Sequence, residues 1–221
     1  NRMAAVRRIG APISLALAAE IGLFSAAALL MGRLGAAEAA GHQLALQWAA
    51  LAFMVPMGLA QAATVRVGLA AGAGNIAGAA RAGWIAILMG MSFMLCTALA
   101  FQFAGAQLIA VFVRDTGGSV FVLAVTYLGM AALFQLVDGA QGVANGVLRG
   151  LKDTAVPMVI TLVGYWLIGF PIAIWFGFFT PMHGIGVWIG LVAGLAVVAL
   201  MLLWRFAIMT RRLARRQEAA A

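Results

Sequence analysis

Glu20 and Asp138 stand alone as carboxylates within long apolar stretches of a 221-residue chain that is 65% hydrophobic. A carboxylate at the centre of a membrane helix costs about 2.5–3.5 kcal/mol even on the mildest insertion scale, so such residues mark paths for ions, protons or substrate. Twelve residues separate Glu20 from Arg8, and eleven separate Asp138 from Arg149. With both arginines at the cytoplasmic boundary, the helical rise places the acids roughly 18 and 16 Å deep, close to the bilayer midplane and on different helices. No Lys or Arg lies at that depth to neutralise them. At least one must then carry a proton, or the pair must hold a cation. Two carboxylates sharing a low-dielectric site titrate as a unit. That is the chemistry of Na⁺ or H⁺ coupling, with Glu20 and Asp138 as the metal ligands if the ion is Na⁺.

Further polar groups gather near them. Gln135, Asp138, Gln141, Asn145 and Arg149 recur at spacings of three and four, which puts them on one side of a helix. An amide-rich stripe facing lipid is expensive, so it faces a bundle interior or a wet cavity, where it hydrogen-bonds another helix or lines the cavity. Gln61 and Thr64 share a face near the inner end of another apolar block, and Gln43 and Gln47 share one near its outer end. Each pair lines a cavity mouth or caps a helix interface. Tyr165 and Trp166 lie within a later block, where they stack on a flat organic cation or pack against lipid and protein. His42 reads as an interfacial polar tip.

These residues need long helices to hold them. Only 9% of the chain is charged, against about 25% in soluble domains, and the mean hydropathy is +1.07. The charges leave six apolar blocks, near 10–32, 43–65, 83–104, 119–148, 155–178 and 184–205. Each reaches the roughly 20 residues that an α-helix needs to cross a bilayer, and none alternates as a barrel strand would. The expected fold is an all-α integral membrane protein, a single six-helix lobe over residues 1–221 with short loops. The fourth block is long enough to require tilt or projection. Pro56 and Pro171 sit deep enough to remove a backbone hydrogen bond and bend their helices.

Six spans put both termini on one side. That side receives Arg2, Arg7, Arg8, Arg66, Arg81, Arg149, Lys152, Arg205, Arg211, Arg212, Arg215 and Arg216, whereas the other receives only Arg33 and Arg114. Twelve against two is a strong orientation signal and makes both termini cytoplasmic. The net charge of +8 is therefore a matter of topology and contact with anionic membrane lipid, not of nucleic acid. The first block is too long for a signal peptide and lacks a cleavage site. The chain starts at Asn1 rather than Met, which we read as a fragment or a trimmed chain. Cys96 is the single cysteine, so no disulfide framework exists.

No catalytic residues are expected. Zinc-protease and phosphate-loop motifs are absent, and both histidines lie near the outer surface. An intramembrane aspartyl protease would also use two acids, but one acid here is Glu, and Asp138 sits in Leu-Val-Asp-Gly-Ala.

Taken in order, several stretches resemble the C-terminal half of multidrug and toxic compound extrusion (MATE) transporters. They are Gly41-His42-Gln43-Leu44-Ala45, Pro56-Met57-Gly58-Leu59 and Gln61 to Gly68, then Phe134-Gln135, Asp138 to Gly142 and Leu148 to Thr154. Tyr165-Trp166 followed by Gly169 and Pro171 also fits. The resemblance implies helices seven to twelve of a twelve-helix, multi-pass antiporter of the bacterial inner membrane. Such a protein exports organic cations and drugs in exchange for Na⁺ or H⁺ and needs no other cofactor. It implies an N-terminal six-helix lobe as partner, in the same polypeptide or as a paired half. Glu20 and Asp138 match the acids of the family's C-lobe cation site. Phe134 stands where the Na⁺-coupled branch often has Tyr, which leaves both coupling ions open. Phe134, Gln135, Gln141, Asn145, Gln61 and Tyr165 are the expected cavity lining. A lipid or lipid-linked oligosaccharide flippase of related architecture is the alternative, although it would favour basic residues deep in the cavity.

Overall fold

The computed structural model describes residues 2–218, with side chains from Gly10 onward apart from those of residues 216 and 218. Arg2, Arg7, Arg8 and Arg216 therefore contribute only through their sequence positions. Within the described residues the chain forms α1 (Arg2–Leu34), α2 (Ala36–Gly72), α3 (Ile76–Ala110), α4 (Ser119–Gly150), α5 (Ala155–Leu162), a π-helical segment (Val163–Gly169), α6 (Phe170–Phe178) and α7 (His183–Glu218). α5, the π segment and α6 run on as one rod, giving six helices long and apolar enough to cross a membrane. All but the fifth, which covers 155–178 as expected, are longer at one or both ends than the apolar blocks alone imply, because the helices continue through polar residues into the headgroup zone.

α4 is the hub, with α2, α3 and α7 packed around it, while α7 also backs α6 and the π segment, and α1 lies against α2 and α5. The arrangement explains why α4 is buried nearly all round from Gly139 to Leu148: neighbours cover it on several sides. Close approach of α2 to α4 depends on Gly146 and Gly150. A Cβ on Gly146 would lie 2.8 Å from the Ala60 Cα, and one on Gly150 would lie 2.7 Å from the Thr64 carbonyl oxygen. Thr64 exploits the contact, donating its hydroxyl to the Gly146 carbonyl at 2.7 Å, with the Ala60 carbonyl at 2.8 Å.

Both ends of the bundle are tied by polar contacts. At the basic end, Arg205 of α7 pairs with Asp153 of the α4–α5 turn at 2.8 Å, and Gln217 donates to the Gly74 carbonyl of the α2–α3 turn at 2.6 Å. At the opposite end, Tyr127 of α4 donates its hydroxyl to Glu38 of α2. The α2–α3 turn, the α4–α5 turn and the end of α7 thus lie together at one end of the bundle.

The structure adds two local features and corrects one expectation. α2 passes through Pro56 without a break, its ring buried. The non-helical residue inside a span is instead Ala104 of α3 (φ −115°, ψ 16°). His42 is not an interfacial tip. It is 1% exposed, its ring edge-on to Trp188 at 5.4 Å, because α2 and α7 meet there beside α4.

Lys152 closes the α4–α5 turn with φ 62°, a left-handed backbone that costs an L-residue about 1–2 kcal/mol. Lys152→Gly removes that strain and gives back part of it as unfolded-chain entropy, for a net gain of up to about 1 kcal/mol. The expected result is a raised thermal unfolding midpoint in detergent. A lowered midpoint would mean that the ammonium group matters more than the backbone.

Candidate functional site

Glu20 enters from α1 and Asp138 from α4, and both line one cavity of about 260 Å³. Phe24, Phe53 and Phe134 give this chamber apolar walls, while Gln43 and Gln47 extend it along α2 toward the end opposite the basic cluster. Asp138 is 5% exposed, and Glu20 is half-buried. Among the described residues neither acid has a basic partner; the ion pair that does form, Arg205 with Asp153, lies at the basic end.

Glu20 also lines a second cavity, of about 280 Å³. Gln61 contributes from α2, Gln141 and Asn145 from α4, and Thr161 from α5. Arg149, Asp153 and Thr154 bring this cavity to the basic end. Glu20 is thus shared by an aromatic chamber on one side and a polar passage on the other.

The remaining expected residues divide as follows. Phe134 lies in the chamber, edge-on to Phe24 at 5.9 Å and to Trp188 at 6.0 Å. Gln61, Gln141 and Asn145 lie in the passage. Gln135 lies in neither. It is fully buried in the α3–α4 contact, where its amide donates weakly to Thr97 Oγ1 at 3.4 Å. The reason is rotational: six residues along an α-helix leave Gln135 and Gln141 about 120° apart, so one stripe spans two interfaces. Tyr165 also lines neither cavity. It is 1% exposed and accepts a hydrogen bond from Gln141 Nε2 at 3.1 Å, acting behind the cavity wall.

The sequence reading passed over some contributors. Phe24 and Phe53 belong to the chamber, and the spacing of Phe24 four residues after Glu20 signals a shared face. Thr161 is buried with its hydroxyl unpartnered beside the passage, and no local pattern flagged it.

The chemistry this geometry permits is cation capture by two carboxylates whose desolvation nothing basic offsets. Its fold and lineage are fixed by comparison with other proteins. A family model described as MatE matches residues 12–175. The chain belongs to the MatE family. It is 50% identical over 202 residues to a probable multidrug resistance protein NorM of Mesorhizobium japonicum, a match covering 90% of this chain and 43% of that protein. A multidrug resistance protein NorM of Burkholderia vietnamiensis is 43% identical over 208 residues, covering 93% and 45%. Among solved structures, a MATE protein in its bent conformation superposes with a TM-score of 0.89 at 19% identity, covering 96% of this chain and 47% of that one. A eukaryotic MATE transporter superposes with a TM-score of 0.82 at 25% identity, covering 97% and 49%. The chain spans about half the length of the relatives it matches, which is the extent of one six-helix MATE lobe.

Proposed function

We propose that the chain is one lobe of a multidrug exporter of the bacterial inner membrane, moving organic cations outward in exchange for Na⁺ or H⁺. One observation carries the reading: Glu20 lines both the aromatic chamber and the polar passage. A cation held by Glu20 and Asp138 has oxygen-bearing side chains ahead of it toward the basic, cytoplasmic end. A flat lipophilic cation finds acids and three phenylalanine rings in the chamber, a combination suited to cation–π and hydrophobic contact.

The two occupants compete for the same negative charge. Uptake of the coupling ion from outside therefore weakens the hold on the exported cation. Release of the ion through the passage then restores the site for a new cation from the cytoplasm. A second lobe, in the same polypeptide or as a paired half, closes the exposed faces of α1 and α2 and completes the drug cavity. The work is transport, not bond-making. The flippase alternative expects basic side chains deep in the cavity; here the deep charges are acidic, and Arg149 sits at the basic end.

The test is ethidium transport by the full-length protein in proteoliposomes, with Na⁺ and pH gradients imposed separately. Uphill movement under one gradient, collapsing with it, supports the reading. Ethidium movement indifferent to both gradients overturns it.

A further inference from the structure

The π-helical segment touches both acid-bearing helices, and it does so with consecutive residues. Trp166 Nε1 donates to the carbonyl of Ala19, the residue before Glu20, at 3.2 Å. Tyr165 Oη accepts from Gln141 Nε2, one helical turn beyond Asp138, at 3.1 Å. One dipeptide is therefore bonded to α1 and to α4 within a turn of each carboxylate.

Its own position is fixed from behind. Gly169 lies directly on the α7 backbone, and Gly164 packs on the Val198 side chain and the Gly194 carbonyl. A Cβ on Gly169 would sit 3.1 Å from the Gly190 carbonyl oxygen and 3.1 Å from the Gly194 Cα. Backbone on backbone leaves no side chain to rearrange, so α7 serves as a rigid seat.

The π register has a local cause and a consequence. Pro171 has no N–H to offer the carbonyl four residues back, and Phe170 N–H bonds the Tyr165 carbonyl five residues back instead. The wider turn changes the directions in which the 165–166 side chains leave the rod, relative to a straight α-helix anchored on α7. On α1, Gly22 completes the fit: a Cβ there would lie 3.1 Å from Trp166 Cζ2, so the bare glycine admits the indole.

We propose that Tyr165 and Trp166 are positioning residues that set the spacing of Glu20 and Asp138, and through it the affinity of the pair for its monovalent cation. The proposal rests on the coupling role given to the acids above and adds a determinant outside either cavity wall. Trp166 holds α1 from its half-exposed face, Tyr165 holds α4 from the core, and α7 keeps the distance between the two anchor points constant.

The experiment uses the full-length protein in proteoliposomes and reads ethidium efflux against the concentration of whichever ion drives the wild type. Trp166→Phe keeps an aromatic ring beside Phe170 but loses the donor, and Tyr165→Phe loses the acceptor for Gln141. Each change is expected to raise the half-activating ion concentration about two- to tenfold, the range for loss of one hydrogen bond, with the maximal rate per folded protein unchanged. Gly22→Ala crowds the indole without altering it and should shift the same parameter, less than additively with Trp166→Phe because both act on one contact. It also supplies the answer if a ring variant is lost from the membrane. A fall in maximal rate alone, or wild-type ion dependence in all the variants that fold, overturns the proposal. The two readings part on Glu20→Gln. If that variant keeps normal ion dependence, both fall; if it loses ion dependence while the aromatic variants stay normal, only the positioning role falls.

Discussion

Glu20→Gln and Asp138→Asn are each expected to abolish uphill efflux in the full-length protein while leaving it folded in the membrane. The amides match the carboxyls in size, so the chamber keeps its shape and loses the charge on which competition between ion and drug depends. A tenfold Na⁺ or H⁺ gradient supplies about 1.4 kcal/mol per ion exchanged for one monovalent cation, enough to hold a drug gradient of about tenfold. The variants should hold none, and ethidium should equilibrate at best. Because both acids line one cavity, the double variant should be no worse than either single one, as for groups that act as a unit. The measurement is the steady-state ethidium ratio across proteoliposomes under a Na⁺ or pH gradient. A double variant that still concentrates ethidium would remove the acids from the mechanism.

The largest structural effect is expected from Gly146→Val. The Cβ would fall 2.8 Å from both the carbonyl carbon and the Cα of Ala60, so the obstruction is backbone rather than the end of a flexible side chain. Overpacking costs about 1–3 kcal/mol where neighbours can adjust, and more where a whole helix must move. α2 would have to withdraw from α4, breaking the Thr64 bond to the Gly146 carbonyl and opening the passage between Gln61 and Asn145. The expected result is loss of protein from the membrane, or a broad, lowered melting transition in detergent. Leu133→Val is the control: Leu133 lies on the same helix but is 56% exposed on the outside of the bundle, so its stability should hardly change. Equal stability of the Gly146 and Leu133 variants would mean that the α2–α4 contact is looser than its geometry indicates.

The origin of the passage lies in the same contact. Thr64 and Gly146 bring α2 and α4 together in the halves nearer the basic end, and Asn145 and Gln61 face the space left beside that crossing. The polar lining is thus a by-product of a glycine contact.

Apolar length and charge placement determined a good deal in the sequence alone. Six stretches longer than a bilayer crossing, with the basic residues crowded toward one end, admit little besides a six-helix bundle, because backbone polar groups in lipid must be satisfied within each helix. The isolation of Glu20 and Asp138 singled them out for the same reason, since the cost of a membrane-buried carboxylate is paid only locally. Helix rotation was beyond its reach. Gln135 and Gln141 belong to one stripe, yet the first is turned into the α3 contact and the second toward Tyr165 and the passage, because three helices compete for the surface of α4. Pro171 announced a missing hydrogen bond, but not that the residues before it would form a π turn with Gly169 seated on the α7 backbone. His42 read as a surface residue until Trp188 arrived from a helix well over a hundred positions away. Local physics decides which segments enter the bilayer and what they cost; which faces meet, and so which polar groups share a cavity, is settled by packing between helices distant in sequence.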